Sequence, residues 1–373
     1  MPPLSILIKP VSGLCSMRCT YCFYADEMAH RDVPTHAPMS DATLERLVRR
    51  ALAYADGTVA FAFQGGEPTL AGADFFRRFL ALERQYNTRH LPISHALQTN
   101  GLSLTPSLLD VLREGQFLVG VSVDGTRSIH DSRRLDSTGH GTYDRVMATL
   151  TQLRREHIDY NILCVVDRQI AAHPQEVFDA LKPHGYLQFI PCMEALDGAP
   201  TADSLTPEAY GAFLCALFDE YERAFRAGRY VSIRLFDNWL NLLAGQPPEA
   251  CSLCGRCSPN YLVESDGSVY PCDFYALDEW LLGNINDASF FRLAASPTLR
   301  RFCEVSLELD PACRVCRWLP LCRGGCRRER EPFVDGRPRR FRLCEGHRFF
   351  WDTCYGRMLA LAQLPPPRLP GNG

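Results

Sequence analysis

Three cysteines lie within eight residues near the start of the chain, and this motif constrains the fold more than any other feature. Cys15 and Cys19 are separated by three residues, and Cys19 and Cys22 by two. Thiolates at this spacing on one short loop can bind three irons of a four-iron, four-sulfur cluster. Because no fourth cysteine follows at the ferredoxin spacing, one iron would be open to bind a small molecule. For the motif taken alone, a zinc site and a chance spacing are the alternatives.

The cysteine content and the N-terminal segment together predict where the protein works. The sequence has 17 cysteines among 373 residues. Residues 1–10 hold a short apolar run that ends at Pro10, too short for a signal peptide, and no apolar stretch reaches membrane-spanning length. We therefore predict a cytoplasmic protein whose cysteines bind metal rather than form disulfides. The net charge of −3 predicts neither nucleic acid nor a membrane as partner.

Short apolar runs alternate with longer amphipathic segments through the first half of the chain. We predict strands at residues 5–9, 59–63, 93–97, 117–123, 160–166 and 186–190. We predict helices at residues 41–55, 74–87, 106–114, 142–157 and 174–183, the first capped by Ser40 or Asp41. These alternations indicate an α/β fold with a parallel sheet, either closed into a partial barrel or open and doubly wound. In both arrangements the loops after the strands hold the ligand.

Those loops carry polar groups that would meet beside the cysteine loop, residues 15–22. They are Gln64-Gly65-Gly66-Glu67-Pro68 after the second strand, Gln98-Thr99-Asn100-Gly101 after the third, Ser122 and Arg134 at and after the fourth, and Met193 after the sixth. Paired glycines let a backbone approach a ligand closely. Taken alone, Ser122 would be an ordinary strand hydroxyl, Arg134 a solvated charge and Met193 a core side chain.

The cysteine motif, Tyr21 before its last cysteine and Gly-Gly-Glu-Pro after the second strand resemble the radical S-adenosylmethionine superfamily. The resemblance implies a partial barrel of six β/α units and a [4Fe-4S] cluster on Cys15, Cys19 and Cys22 whose open iron binds S-adenosylmethionine. In that superfamily, cleavage of the cofactor gives a 5′-deoxyadenosyl radical that abstracts hydrogen from a substrate. The implied cofactor contacts are Tyr21 and Met193 near the adenine, Gly66 in the loop holding the amino group, and Ser122 and Arg134 at the polar ends.

A second group of cysteines runs from Cys251 to Cys344, and its spacing resembles the SPASM extension of radical enzymes that act on peptides and proteins. That extension carries two further iron–sulfur clusters, which makes three [4Fe-4S] clusters in all. The resemblance implies one cluster on Cys251, Cys257, Cys272 and Cys326, and another on Cys313, Cys316, Cys322 and Cys344. From spacing alone, a pair of zinc ribbons is the alternative. The cysteines left unassigned are Cys164, Cys192, Cys215, Cys254, Cys303 and Cys354.

These features predict four segments. Residues 1–205 form the partial barrel, 206–250 a helical linker, 251–345 the SPASM domain, and 346–373 a C-terminal helix with a proline-rich tail. Within them we predict further helices at residues 207–226, 234–244 and 345–361, and a hairpin turn at Ser265-Asp-Gly-Ser268.

Asp273 directly follows Cys272, one of the implied cluster ligands. A carboxylate there can accept a proton while the adjacent cluster accepts an electron, which suits the two-electron oxidation of an alcohol or a thiol. The structural alternative is a turn residue that caps the next segment.

Long stretches of the chain resemble the anaerobic sulfatase-maturating enzymes. They are residues 2–10, 22–24, 61–71, 97–101, 161–166, 263–275 and 322–328. The resemblance implies oxidation of a cysteine or serine to Cα-formylglycine, within a Cys/Ser-x-Pro-x-Arg motif of an unfolded or nascent sulfatase, with Asp273 as proton acceptor. It also implies a small electron donor protein of the flavodoxin or ferredoxin type as partner, and Gln64, Gln98 and Asn100 as peptide contacts.

Two other functions are compatible with the same cysteines. One is a radical maturase that forms crosslinks in a ribosomal peptide, although the chain starts directly at the first strand, without the peptide-recognition domain that such enzymes often carry. The other is an iron–sulfur or zinc binding protein without catalysis, which leaves Gly-Gly-Glu-Pro and the open iron unexplained.

Overall fold

The computed structural model describes residues 3–198, 203–334 and 336–364. These residues form two compact units that do not follow the order of the chain. Unit 1 comprises Met1–Ser122, Arg133–Tyr160 and Pro259–Phe302, and unit 2 comprises Val123–Ser132, Asn161–Ser258 and Cys303–Gly373, as far as these ranges are described. The proline-rich tail from residue 365 onward lies outside the described residues. The four segment boundaries given above stay predictions.

The secondary structure is as follows, in chain order. The strands are β1 (Leu4–Ile8), β2 (Met17–Cys19), β3 (Val59–Phe63), β4 (Ile93–Thr99), β5 (Leu118–Ser122), β6 (Arg134–Asp136), β7 (Tyr160–Val166), β8 (Tyr186–Pro191), β9 (Ser232–Ile233), β10 (Tyr261–Val263), β11 (Ser268–Tyr270) and β12 (Gly283–Asn284). The helices are α1 (Phe23–Ala29), α2 (Asp41–Tyr54), α3 (Gly72–Tyr86), α4 (Pro106–Glu114), α5 (Arg127–Asp131), α6 (Tyr143–Arg155), α7 (Arg168–Ala172), α8 (Pro174–Leu181), α9 (Pro207–Arg226), α10 (Arg234–Leu243), α11 (Phe290–Ala294), α12 (Pro297–Ser306), α13 (Pro311–Arg314), α14 (Leu319–Cys322) and α15 (Cys344–Ala362). None of the described helices is long and apolar enough to cross a membrane.

Unit 1 is built on a sheet in which β1, β3, β4 and β5 run parallel. Its strand order is β12-β11-β10-β1-β3-β4-β5, with β10 parallel to β1 and antiparallel to β11. The parallel strands confirm the predicted sheet, and the β10–β11 pair confirms the predicted hairpin. The side chains of Val59, Phe61 and Phe63 are buried on one face of β3, as a period of two predicts. Because parallel strands end at one edge, the loops after β1, β3, β4 and β5 share that edge.

Unit 2 contains a second parallel set, β7-β8-β9. Helices α9 and α15 pack so closely that a Cβ added at Gly211 would lie 3.0 Å from the Gly346 Cα. Beside this crossing lies a group of fully buried rings, which we call the aromatic cluster: Phe218, Phe236, Trp239, Phe350 and Trp351. Phe350 stacks on Phe236 with ring centroids 5.6 Å apart and on Trp239 at 5.1 Å. Such ring pairs add stabilisation beyond the area they bury.

The predicted helices are confirmed to within two residues at every end. Ser40 is the cap of α2, because its hydroxyl accepts the Thr43 backbone N–H. The sequence analysis missed the short elements, among them β2, β6 and α1. These lie in the segments that carry the candidate site.

Candidate active site

The cysteine loop leaves the carboxyl end of β1 and carries Cys15, Cys19 and Cys22 as half-buried thiols. The Cys15 Sγ accepts the Met17 backbone N–H at 3.4 Å and the Asn100 side-chain amide at 3.7 Å. Burial raises the pKa of the Cys15 thiol, so a bare thiolate is costly there. Bound iron would supply the positive charge that offsets this cost, so the donor set fits an iron–sulfur cluster.

Arg134 reaches the cysteine loop because β2 and β6 pair as a short antiparallel ribbon. The register of this ribbon sets Arg134 opposite Cys19, and the Arg134 Nη1 lies 3.8 Å from the Cys19 Sγ. The guanidinium also lies over the Tyr21 ring, 5.4 Å from its centroid. The structure therefore brings together two predicted cofactor contacts, Tyr21 and Arg134, although they are far apart in sequence.

The glycine pair after β3 lies directly against the backbone of the cysteine loop. A Cβ added at Gly66 would lie 2.1 Å from the Leu14 carbonyl oxygen, so no other residue fits without moving that backbone. The Gly66 N–H donates to the Ser12 carbonyl at 3.0 Å, and the Glu67 N–H donates to the Leu14 carbonyl at 2.8 Å. The predicted Gly66 loop is thus fixed to the segment that carries Cys15.

Glu67 connects the loop after β3 to the end of β4 through hydrogen bonds, a role that the sequence analysis missed. This fully buried carboxylate accepts hydrogen bonds from the Thr69 backbone and hydroxyl, from the Thr99 hydroxyl at 2.8 Å, and from the Asn100 backbone N–H at 2.7 Å. Burial raises its pKa. The clue in the sequence is Thr69, two residues after Glu67, whose hydroxyl can donate to that carboxylate.

The other predicted polar residues of this edge bond to one another. The Gln98 amide donates to the Ser122 hydroxyl at 3.1 Å, and the Asn100 amide donates to the Ser16 hydroxyl at 3.1 Å. These bonds position Ser122 and the cysteine loop. Met193 lies in unit 2, two residues after the end of β8, and is half-buried.

Asp273 is a buried carboxylate, with 8% of its surface exposed. Its Oδ2 accepts the Tyr24 hydroxyl at 2.8 Å and the Gln64 side-chain amide at 3.2 Å. Its Oδ1 is buried without a hydrogen-bond partner among the described residues. Burial raises the pKa of Asp273, and the positive charge of Lys9 opposes that rise. The carboxylate thus has one fixed oxygen and one that can take a proton.

Four further charged side chains lie around Tyr24 and Asp273, and we call them the ionic cluster: Lys9, Glu27, Arg31 and Glu264. The Lys9 Nζ lies 3.6 Å from Glu27 and 3.5 Å from Glu264, and the Arg31 Nη1 donates to Glu264 at 2.8 Å. All four are at most 7% exposed. Burial raises the pKa of Glu27 to about 8. The sequence analysis did not assign any of these residues to the site.

The predicted cluster cysteines of unit 2 gather in two places. Burial, with smaller contributions from the Cys251 and Cys257 thiols, raises the pKa of Cys326 to about 12. Elsewhere in the unit, burial raises the pKa of Cys322 to about 12, with contributions from its neighbours Cys344, Cys313 and Cys316. These thiols fit cluster ligands for the reason given for Cys15. Cys272, the fourth predicted ligand of the first set, belongs to unit 1.

The assignment of these thiols to two clusters stays a prediction. Within the part of the chain that the structure describes, no group of three His, Cys, Asp or Glu side chains is arranged to hold a single metal ion. Cys303 lies near Cys257, so an additional thiol accompanies the first set. In contrast, Cys215 lies with its sulfur 4.0 Å from that of Cys354, in the contact between α9 and α15.

Comparison with known protein families defines the class of this protein. The radical SAM superfamily matches residues 10–181, and the SPASM iron-sulfur cluster-binding domain matches residues 254–317. With the cysteine loop and its neighbouring glycines, these matches define a radical S-adenosylmethionine enzyme with a SPASM domain. The chain is 40% identical over 367 residues to the cysteine-type anaerobic sulfatase-maturating enzyme of Clostridium novyi, covering 97% of this chain and 98% of that relative. It therefore belongs to the family of anaerobic sulfatase-maturating enzymes.

Two further relatives show how far the likeness extends. The serine-type anaerobic sulfatase-maturating enzyme of Bacteroides thetaiotaomicron is 29% identical over 367 residues, with 92% of this chain and 88% of that relative covered. A solved structure of anSMEcpe with bound AdoMet and the Kp18Cys peptide is 39% identical, covers 97% of this chain and 99% of that chain, and has a TM-score of 0.92. The predicted fold class and family are confirmed by these matches.

Proposed function

We propose that this protein oxidises a cysteine of a sulfatase polypeptide, within a Cys-x-Pro-x-Arg motif, to Cα-formylglycine. The buried Asp273 carries the proposal, because one of its oxygens is fixed by Tyr24 and Gln64 while the other has no partner among the described residues. A general base needs this combination of fixed orientation and an oxygen that can accept a proton. Support for cysteine over serine comes from the higher identity to the cysteine-type relative than to the serine-type relative.

The residues present fit three [4Fe-4S] clusters and S-adenosylmethionine. Cys15, Cys19 and Cys22 would hold the first cluster, and the eight thiols assigned to two auxiliary clusters would hold the others. When bound, these groups supply a radical that removes hydrogen from carbon and iron sites that take up electrons.

The chain's own residues orient the cofactor and the substrate. Carbonyl oxygens of the Gly66 loop would accept hydrogen bonds from the amino group of S-adenosylmethionine, since the Gly66 N–H already donates to the Ser12 carbonyl. Arg134 and Ser122 would bind its polar ends, and Tyr21 and Met193 would lie near its adenine. Arg134 is already oriented by Cys19 and Tyr21, which reduces the entropy lost when the cofactor binds.

Asp273 removes the proton from the sulfur of the substrate cysteine. Together with the loss of one hydrogen atom from carbon and one electron to iron, this leaves a thioaldehyde, which water hydrolyses to formylglycine with release of hydrogen sulfide. The fixed Oδ2 of Asp273 keeps the carboxylate in one orientation, and its Oδ1 receives the proton. The donors on Tyr24 and Gln64 stabilise the ionised form before the proton arrives. Gln98 and Asn100 lie at the same strand edge and are the proposed peptide contacts.

The proposed substrate, electron donor and cellular compartment follow from this chemistry. The substrate is an unfolded or nascent sulfatase, because the target residue must enter a buried site. A small flavodoxin- or ferredoxin-type protein supplies electrons, and the cytoplasm supplies the reducing conditions that the thiols need.

The test is an anaerobic assay with two peptides. Reconstituted protein, S-adenosylmethionine and dithionite are incubated with a Cys-x-Pro-x-Arg peptide or with its serine counterpart, and the products are weighed by mass spectrometry. We expect formylglycine from the cysteine peptide, and less from the serine peptide. Cofactor cleavage with both peptides unmodified would contradict the proposal and favour a crosslinking maturase. Absence of 5′-deoxyadenosine would contradict both functions that depend on radical chemistry, formylglycine formation and peptide crosslinking.

A further inference from the structure

Lys9 is an exception in the composition of this chain. Lys9 and Lys182 are its only lysines, while arginine supplies the rest of its 40 Lys and Arg residues. Lys182 lies on the surface with 47% of its side chain exposed, whereas Lys9 has only 4% exposed. A buried ammonium is costly unless nearby groups compensate its charge. The contacts of the Lys9 side chain therefore indicate its role in the molecule.

The register of the sheet fixes the place of Lys9. It directly follows Ile8, which pairs with Phe63 on one side and Val263 on the other. Lys9 thus lies between Gln64 and Glu264, which directly follow those two residues. Its stem packs on the glycine pair, because a Cβ added at Gly65 would lie 2.7 Å from the Lys9 Cγ.

The ammonium group connects the ionic cluster to the proposed proton acceptor. The Lys9 Nζ lies 3.5 Å from Glu264 and 3.6 Å from Glu27, and 4.5 Å from the centroid of the Tyr24 ring. A cation at this distance from a ring attracts it, more strongly when both are shielded from water. The hydroxyl of that same ring donates to the Asp273 Oδ2 at 2.8 Å. Lys9 therefore fixes Tyr24, and Tyr24 fixes Asp273.

The chemistry of the position favours lysine over arginine. Glu264 already pairs with the planar guanidinium of Arg31 on its other side. The space between Glu27, Glu264 and the Tyr24 ring needs a compact point charge with donors in several directions, which an ammonium provides and a guanidinium does not. A buried ion pair of this kind is a weak source of stability compared with apolar residues of the same size. Its arrangement around Tyr24 indicates a role in the reaction.

We propose that Lys9 is a positioning residue for the oxidation and acts through the Tyr24 ring to hold Asp273 in its proton-accepting orientation. This inference rests on the proposed function. Among the described residues Lys9 forms no hydrogen bond or ion pair with Asp273, so its contact with that carboxylate runs through the Tyr24 ring. When Lys9 loses its charge, cleavage of S-adenosylmethionine continues. Less formylglycine is then formed for each cofactor that is cleaved.

The test compares Lys9→Met, which keeps the unbranched apolar stem and removes the charged ammonium, with Lys9→Arg, which keeps the charge. Lys182→Met is the matched control, because it makes the same change at the exposed lysine. The readouts are iron content, melting temperature, 5′-deoxyadenosine formed, and formylglycine formed per 5′-deoxyadenosine. We expect Lys9→Met to lower that last ratio by about tenfold or more, with iron content and peptide-free cofactor cleavage close to wild type. Lys9→Arg restores the ratio in part, and Lys182→Met leaves all readouts unchanged.

A cycle with Tyr24→Phe tests the route of the effect. If Lys9 acts through Tyr24, Lys9→Met lowers the ratio much less in the Tyr24→Phe background than in wild type, because the contact to Asp273 is already lost. Where Lys9→Met does not hold iron, Lys9→Gln takes its place in the cycle. Additive losses, or an unchanged ratio in both Lys9 variants, would overturn the inference.

The failure of this inference differs from the failure of the proposed function. Wild-type protein that makes formylglycine while Lys9→Met keeps the wild-type ratio overturns only the role of Lys9. Wild-type protein that cleaves the cofactor but makes no formylglycine overturns the proposed function and the inference with it. A parallel loss of iron content, melting temperature and product in Lys9→Met, Lys9→Gln and Lys9→Arg would show a purely structural lysine.

Discussion

The ionic cluster of unit 1 and the aromatic cluster of unit 2 are both shielded from solvent, but one is made of charges and the other of rings. Burying the charges of Lys9, Arg31 and Glu264 beside Glu27 is costly even when they pair, and such pairs contribute little net stability. Burying the rings of the aromatic cluster is favourable by area and by ring–ring geometry. The comparison teaches that activity and stability depend on different parts of this chain, so substitutions should separate them.

The largest expected effect is a loss of activity from Asp273→Asn, a substitution beside the ionic cluster. An asparagine oxygen can still accept from Tyr24 and Gln64, but the amide cannot take the substrate's proton. We expect formylglycine formation to fall by roughly 10²- to 10⁴-fold, the usual contribution of a general base. Iron content, melting temperature and 5′-deoxyadenosine formation should stay close to wild type.

The exposed Asp278→Asn, five residues further on, is the control for this substitution, and mass spectrometry of the peptide product is the measurement. A normal yield from Asp273→Asn would remove this residue from the mechanism.

The second largest expected effect is a loss of stability from Phe350→Ala, a substitution within the aromatic cluster. Phe350 is fully buried and contacts Phe218, Phe236 and Trp239, so its removal leaves a cavity that the neighbouring rings cannot fill. We expect a loss of about 3–5 kcal/mol in the free energy of unfolding. Protein that remains folded at low temperature should keep its ratio of formylglycine to 5′-deoxyadenosine.

Phe349→Ala makes the same change at the neighbouring position of α15, where 53% of the side chain is exposed. We expect it to alter stability by no more than about 0.5 kcal/mol. Equal losses in the two variants, measured by thermal unfolding under anaerobic conditions, would show that the aromatic cluster is not the source of stability.

The smallest effect comes from a polar side chain beside the rings, His347. Burial lowers the pKa of His347 to about 3, and both ring nitrogens are without hydrogen-bond partners among the described residues. The unfolded chain takes up a proton near pH 6.5, whereas the folded protein does not until pH approaches about 3. The contribution of His347 to stability is therefore fully present above pH 6.5 and is lost progressively as pH falls below it.

Replacing His347 by phenylalanine should remove that dependence. From pH 7.5 to pH 5.5, we expect the wild type to lose about 1.4 kcal/mol more of its unfolding free energy than His347→Phe loses. Anaerobic melting temperatures of both proteins across this range are the measurement. Parallel curves would mean that His347 is protonated in the folded protein.

Sequence reasoning found the regular elements because each is specified locally. The period of two in residues 59–63 predicts β3, and a cap at Ser40 or Asp41 with the apolar stripe after it predicts the start of α2. The cysteine spacings and the resemblance they carry led to the class and the family. The three-residue strands β2 and β6 were missed because a pairing so short leaves no periodic pattern in the sequence.

The ionic cluster was missed for a different reason. Its members are far apart in the chain, and only the register of β1 between β3 and β10 brings Lys9, Gln64 and Glu264 side by side. From the sequence alone, each of its charged residues is expected to be an ordinary solvent-exposed side chain. Asp273 was found from its neighbour Cys272, but its partner Tyr24 was not, because that contact spans 249 residues.

The contrast between the two lysines also has a practical use. Lys182 presents the accessible side-chain amine, whereas the amine of Lys9 is enclosed. Amine-reactive dyes should therefore label the side chain of Lys182, which directly follows the end of α8, and leave the side chain of Lys9 unlabelled. Coupling a fluorescent probe through Lys182 needs no engineered cysteine, which would compete with the cluster thiols for iron.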